Sequence, residues 1–168
     1  ERFGRVETGA TPQEIETACI AQLDRFAQLA LQQGARVAHV KPHGALYHRL
    51  MQDPEAASAF LRAVTRSLGR CAVMGLPGSV LQQQTQHAGL PYLAEMFADR
   101  HYEADGSLTP RSHPQALITD PDIAIAQVLS VRDHQHLQAR TGETVGLQAD
   151  TVCVHGDSEH ALAFARAL

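Results

Sequence analysis

A helix followed by a strand is encoded by Asp53-Pro-Glu-Ala-Ala-Ser-Ala-Phe-Leu-Arg-Ala-Val-Thr-Arg-Ser-Leu68 and then Cys71-Ala-Val-Met74. Asp53 before Pro54 is typical of a helix start, because aspartate accepts the free backbone N–H groups and proline suits the first helical position. We expect this helix to end near Leu68. The apolar run that follows predicts a buried strand.

The same alternation recurs on both sides of this stretch. The other expected elements are a helix from Thr11-Pro12 to Gly34, with Glu14 completing a capping box and Ile15, Cys19, Leu23, Phe26 and Ala30 at helical spacing, strands at 36–40, 90–97, 116–119 and 151–154, and helices from Gly78-Ser79 to Gly89, from Asp120-Pro121 and from about Ser158. Residues 140–147 are interpreted as a turn or hairpin. Strands that alternate with helices predict an α/β fold with a parallel sheet, open or closed as a barrel.

Composition limits the class of protein. The 168 residues are enough for one domain, 1–168, with its own core. No apolar run approaches the roughly 20 residues needed to cross a bilayer, and the arginines are scattered rather than striped, so we expect neither a membrane nor a nucleic-acid partner. Cys19, Cys71 and Cys153 are far apart in apolar segments, which favours thiols in a reducing, cytoplasmic compartment. The first residues are interpreted as the middle of a longer protein.

Polar side chains follow the ends of the predicted strands, where parallel α/β folds place their active sites. Lys41, which is the only lysine, and His43 form a pair that suits anion binding and proton transfer. His155 and Asp157 suit a base and the carboxylate that orients it. Arg100, beside Glu95 and Asp99, suits a carboxylate or phosphate ligand. Tyr102, Asp105 and Arg111 extend the loop after Arg100.

Each group also has a simpler structural interpretation. Lys41 and His43 would then be an ordinary surface pair, and Asp157 or Ser158 would cap the last helix. Arg100 would only pair with Asp99 or Glu95. The segment 75–79 lacks the lysine of a nucleotide-binding loop and is interpreted as a helix cap. Because no two histidines have the spacing of a metal motif on a predicted helix, a metal would need ligands from separate strand ends.

Three segments, in this order, resemble the LamB/YcsF family. They are Val40-Lys-Pro-His-Gly-Ala-Leu-Tyr47, then Glu95-Met-Phe-Ala-Asp-Arg-His-Tyr102 with Asp105, Gly106, Leu108 and Arg111, and then Asp150-Thr-Val-Cys-Val-His-Gly-Asp157. The resemblance implies a distorted (β/α) TIM-like barrel of the glycoside hydrolase/deacetylase type. The family's opening Asn-Cys-Asp, Gly-Phe-His and Gly-Ala-His-Pro segments are absent, so we expect the barrel to be incomplete at the N-terminus.

The resemblance also implies an activity. It is the ring opening of 5-oxo-L-proline to L-glutamate, driven by ATP and carried out by a 5-oxoprolinase in which this chain is the A component and subunits B and C are its partners. Lys41, His43, His155 and Asp157 are then expected to be catalytic, and Tyr47, Glu95, Asp99, Arg100 and Arg111 to bind substrate. A divalent metal is left open. The alternatives are a metal-assisted amide or carbohydrate deacetylase and a noncatalytic lactam-binding protein.

Overall fold

The computed structural model of the chain describes residues 9–156 and 161–167. By its contacts the chain divides into two compact units, Glu1–Leu93 and Ala94–Leu168. The prediction of a single domain stays a prediction. No helix in the described part of the chain is both long enough and apolar enough to span a membrane.

The first unit alternates helices with short strands. Its elements are α1 (Pro12–Gln32), β1 (His39–Val40), α2 (Gly44–Leu50), α3 (Pro54–Leu68), β2 (Ala72–Gly75), α4 (Val80–His87) and the start of β3 (Tyr92–Phe97). β1 and β2 are parallel, with Val40 opposite Val73. The Val73 N–H donates to the Pro91 carbonyl at 2.9 Å, which places β2 beside the start of β3.

The core of this unit is built around α3. Small alanines on α3 allow close packing, and Phe60, Leu61 and Val64 fill the space between them. Asp53 caps α3 by accepting the N–H groups of Glu55 and Ala56, both at 3.0 Å. The predicted helix start at Asp53-Pro54 is therefore confirmed, and so is the capping box of Thr11 and Glu14 on α1.

The second unit contains the rest of β3, then α5 (Pro121–His134), β4 (His136–Gln138), β5 (Thr144–Gly146), β6 (Thr151–Cys153) and α6 (Ala161–Ala167). β3 and β6 are parallel, with Phe97 opposite Cys153. β4 and β5 form an antiparallel hairpin, as predicted for this region. A compact apolar cluster of Ala98, Ile118, Ala124 and Phe164 lies beside the end of β3.

Three local predictions are corrected. The stretch 116–119 is not a strand, because only Leu117 forms an isolated bridge, with Arg100. The stretch after Lys41 is not an open loop, because Gly44 turns the chain with a φ of +65° directly into α2. The helical spacing predicts Phe26 on the buried side of α1, but Phe26 is 58% exposed. With 21 residues against 15, α1 is longer than α3, the helix it packs on, so α3 cannot cover all of it.

The fold class is α/β, with parallel strand pairs and helices, as the sequence predicted. Within residues 9–156 and 161–167 the strands do not close into a barrel. No disulfide joins the three cysteines: Cys19 and Cys71 are buried thiols, and burial raises the pKa of each.

Candidate active site

Strands β3 and β6 bring two titratable side chains together. Phe97 lies opposite Cys153 in the parallel register. Asp99 and His155 each follow two residues after these partners, at the carboxyl ends of the two strands, and therefore emerge at the same height. The Nδ1 atom of His155 lies 2.9 Å from Oδ1 and 2.8 Å from Oδ2 of Asp99.

The Asp99 carboxylate also accepts a hydrogen bond from the backbone of His155. The backbone N–H of His155 donates to Oδ2 at 3.1 Å. Asp99 is 4% exposed, and this burial opposes ionisation, but the hydrogen bonds and charge of His155 outweigh it and lower the pKa of Asp99. Because an ionised carboxylate only accepts hydrogen bonds, the Nδ1 atom of His155 carries a proton. In the neutral form of the imidazole, Nε2 is then the proton acceptor.

Two further residues, Phe97 and Gln127, lie close to this pair. The ring of Phe97 stacks on the imidazole of His155, with ring centres 5.3 Å apart and planes 19° apart. The side-chain amide of Gln127, on α5, donates to the Phe97 carbonyl at 3.0 Å and to the Arg100 carbonyl at 3.1 Å. The sequence does not single out either residue as part of the site. Phe97 has one signal, its position two residues before Asp99, and Gln127 has none.

Arg100 is fully buried, at 1% exposure. Its guanidinium donates to the carbonyls of Thr109 (2.5 Å) and Ala116 (3.2 Å), so it holds the loop that follows it.

Tyr102 is also buried and accepts the Phe97 N–H at 2.8 Å, and burial raises its pKa. Glu95 is 0% exposed within β3. Substrate binding by Arg100 and Glu95 stays a prediction.

The Lys41 group lies in the first unit. Lys41 and His43 are both exposed between β1 and α2, and His43 occupies the N-cap position of α2 without a side-chain cap hydrogen bond. The Lys41 Nζ atom lies 5.8 Å from the centre of the Tyr47 ring, which is buried. This is a cation–π contact, in which the ammonium group lies over the face of the ring.

Arg111 and Asp157 are the two remaining predicted site residues. Arg111 is exposed in the loop after Thr109. Asp157 lies outside the described residues, as does Ser158, so their predicted roles stay predictions. The strand before them, β6, is less buried than its apolar sequence indicates, because Val152 is 41% exposed.

No metal site is evident in the described residues, since no three His, Cys, Asp or Glu side chains are grouped closely enough to hold an ion. The segment 75–79 is a helix cap, as expected. Ser79 accepts the Gln82 N–H at 3.2 Å, and Gly78 N–H donates to the Gln82 side chain at 2.7 Å. These groups are therefore satisfied within the protein.

A model of the LamB/YcsF family matches residues 1–168, which is the whole length of the sequence. The chain belongs to the LamB/YcsF family. Among solved structures, this LamB/YcsF chain is similar to the crystal structure of a lactam utilization protein from Thermus thermophilus, with 35% sequence identity and a TM-score of 0.90. The match covers 98% of this chain and 66% of that one, so the chain spans about two thirds of its relative's length.

Proposed function

We propose that this chain acts in lactam utilization as the A component of a 5-oxoprolinase. Membership of the LamB/YcsF family and the similarity to a lactam utilization protein support a cyclic amide as the substrate. The observation that carries the proposal is the contact between His155 and Asp99 at the ends of β6 and β3. It provides a base for the water that must attack a lactam carbonyl.

The proposed reaction uses ATP and two waters. The γ-phosphoryl group passes to the lactam oxygen and ADP leaves, which makes the ring carbon more electrophilic. Water then adds to that carbon and gives a proton to His155. The ring C–N bond breaks, the nitrogen takes up a proton, and an acyl phosphate remains. A second water hydrolyses this to L-glutamate and phosphate. Asp99 stabilises the imidazolium that forms when His155 takes the proton from water.

We propose that Lys41 binds a negatively charged group of the substrate, either its carboxylate or the phosphorylated oxygen. Lys41 is an exposed residue whose Nζ atom lies over the Tyr47 ring, and a lysine ammonium is a compact positive charge that suits an anionic ligand. His43, Arg100, Arg111 and the other predicted site residues remain candidates for binding or proton transfer. Subunits B and C are proposed partners. Because the reaction consumes ATP, we propose that it takes place in the cytoplasm.

Asp99→Asn tests the proposal. The substitution keeps the shape of the side chain but removes the charge that holds the proton on Nδ1 of His155. In the full-length protein assembled with subunits B and C, we expect kcat for glutamate release from 5-oxo-L-proline and ATP to fall by about 10²- to 10⁴-fold. Asp133→Asn is the matched control, because Asp133 is exposed and pairs with its sequence neighbour Arg132 at 2.7 Å.

Unchanged turnover of Asp99→Asn, with Asp133→Asn also active, would contradict a catalytic role for the pair. A second outcome would favour the noncatalytic alternative. If Asp99→Asn leaves turnover intact but weakens 5-oxo-L-proline binding in equilibrium dialysis, the chain holds the lactam while the partner subunits carry out the chemistry.

A further inference from the structure

Gln127 makes two hydrogen bonds that the proposed reaction does not explain. Its Nε2 atom lies 3.0 Å from the Phe97 carbonyl oxygen and 3.1 Å from the Arg100 carbonyl oxygen. A primary amide nitrogen has two N–H donors, so it can serve both carbonyls at once. The side chain is half-buried on α5, so it reaches the end of β3 from a helix next to it.

The two carbonyls flank Asp99. Phe97 is the last residue of β3, and Arg100 is the first residue after Asp99. An amide that holds both carbonyls fixes the turn between them, and the Asp99 side chain projects from that turn. The turn is also held by the Ile118 N–H, which donates to the Asp99 carbonyl at 2.9 Å. Asp99 therefore has a fixed backbone on both sides.

The same amide also controls the imidazole. Phe97, whose carbonyl Gln127 holds, stacks its ring on His155 at 5.3 Å. A shift of Phe97 would move the surface against which the imidazole rests. Gln127 is thus connected to both members of the pair, to Asp99 through the backbone and to His155 through the Phe97 ring. Neither connection requires contact with substrate.

We propose that Gln127 is the positioning residue of the Asp99–His155 pair. The inference rests on the proposed function only for its consequence in catalysis, because the geometry of the pair can be measured without turnover. Loss of the two N–H donors lets the turn relax, lengthens the contact between Asp99 and Nδ1 of His155, and misplaces the base. Misplacement of a catalytic group by about 1 Å costs on the order of 100-fold in rate.

The test uses Gln127→Met and Gln127→Glu. Methionine keeps the length of the side chain and has no donor, whereas glutamate keeps its shape and places an acceptor against two carbonyls. The matched control is Gln22→Met, since Gln22 also donates from its side chain to a helix carbonyl, that of Ala18, at 3.3 Å, but is exposed on α1. All variants are made in the full-length protein.

The primary measurement is NMR of the pair, with ¹⁵N shifts for the His155 ring and ¹³C titration of the Asp99 carboxyl. We expect both Gln127 variants to shift the His155 nitrogen signals and to move the pKa of Asp99 back up toward its ordinary value. Gln22→Met should leave both unchanged. In the assembly with subunits B and C, kcat should fall roughly 10- to 100-fold for both Gln127 variants, with KM little changed.

Unaltered ¹⁵N shifts and an unaltered Asp99 titration in Gln127→Met would overturn the inference, whatever the turnover. A purely structural role predicts lower thermal stability together with wild-type signals for the pair in the folded protein, and that result would overturn it too. Failure of the proposed function is seen separately. In that case the Gln127 variants still disturb the pair, but Asp99→Asn retains full activity.

Discussion

Burial and hydrogen bonding act on Asp99 in opposite directions. Burial raises the pKa of the carboxyl, whereas the hydrogen bonds and charge of His155 lower it, and the lowering prevails. A carboxyl whose pKa is lower in the folded state stabilises the fold at any pH above its unfolded value of about 3.9. That contribution is lost as the pH falls from there through the folded-state value. The contact of Asp99 with His155 therefore contributes to stability in acid.

Asp99→Asn is expected to lower the free energy of unfolding at pH 7 by about 1–3 kcal/mol, because charged hydrogen bonds to a buried group are lost. The difference from the wild type should narrow as the pH falls below about 3.9, where the wild-type carboxyl also becomes neutral. Urea unfolding at pH 7 and at several pH values below 4 measures both. Asp133→Asn serves as the exposed control, and a difference for Asp99→Asn that is constant with pH would contradict the assignment.

The sequence predicts the members of this site better than their pairing. His155 and Asp99 both stand out because they follow strands, but the sequence favours Asp157 as the residue that orients His155. The contact of His155 with Asp99 depends on which two strands are neighbours and on the register of Phe97 opposite Cys153. Neither property is encoded locally, because residues 99 and 155 meet only through a long-range strand pairing. Gln127 could not be found for the same reason.

Among the elements, helix starts are predicted well because their signals are local. Thr11, Asp53, Ser79 and Asp120 all cap helices through their own side chains. The helix α2 escapes prediction because its first residue, Gly44, has a positive φ, which is typical of a turn. The exposure of Val152 is also unexpected, because an apolar sequence does not say which neighbours cover a strand.

Gly75, at the end of β2, lies where three side chains leave no room. A Cβ atom built there would lie 2.6 Å from Tyr92 Oη, 3.1 Å from Met51 Cε and 3.2 Å from Leu81 Cδ2. The Tyr92 hydroxyl cannot retreat freely, because it donates to the Leu76 carbonyl at 2.9 Å. Gly75→Ala should therefore destabilise the protein by about 1–3 kcal/mol in chemical denaturation.

Gly146, in β5, provides the control for that change. A Cβ atom there meets nothing within 4 Å. Gly146→Ala should accordingly stay within about 0.5 kcal/mol of the wild type. Equal stability of the two alanine variants would show that the space around Gly75 adjusts at little cost, and would contradict the packing described for the end of β2.

At the scale of the whole molecule, nearly all the positively charged side chains are arginines. The chain has a formal charge of -4, with 14 lysines and arginines in total, and Lys41 is its only lysine. Arginine stays protonated under nearly all conditions, whereas a lysine ammonium can lose its proton and react. Primary-amine chemistry on the side chains of this sequence is therefore directed to a single position, which is also a proposed ligand of the substrate.

Amine acylation followed by peptide mass spectrometry can therefore test whether Lys41 binds the substrate. In the assembly with subunits B and C, 5-oxo-L-proline with ATP should slow the modification of Lys41, because a bound anion covers the ammonium and holds its proton. A sample with ATP alone is the ligand control, and Lys41→Arg removes the labelled side chain. If Lys41 reacts equally fast with and without saturating lactam while glutamate is still formed, Lys41 is not a ligand of the substrate. His43, Arg100 and Arg111 are then the remaining candidates for binding the anion.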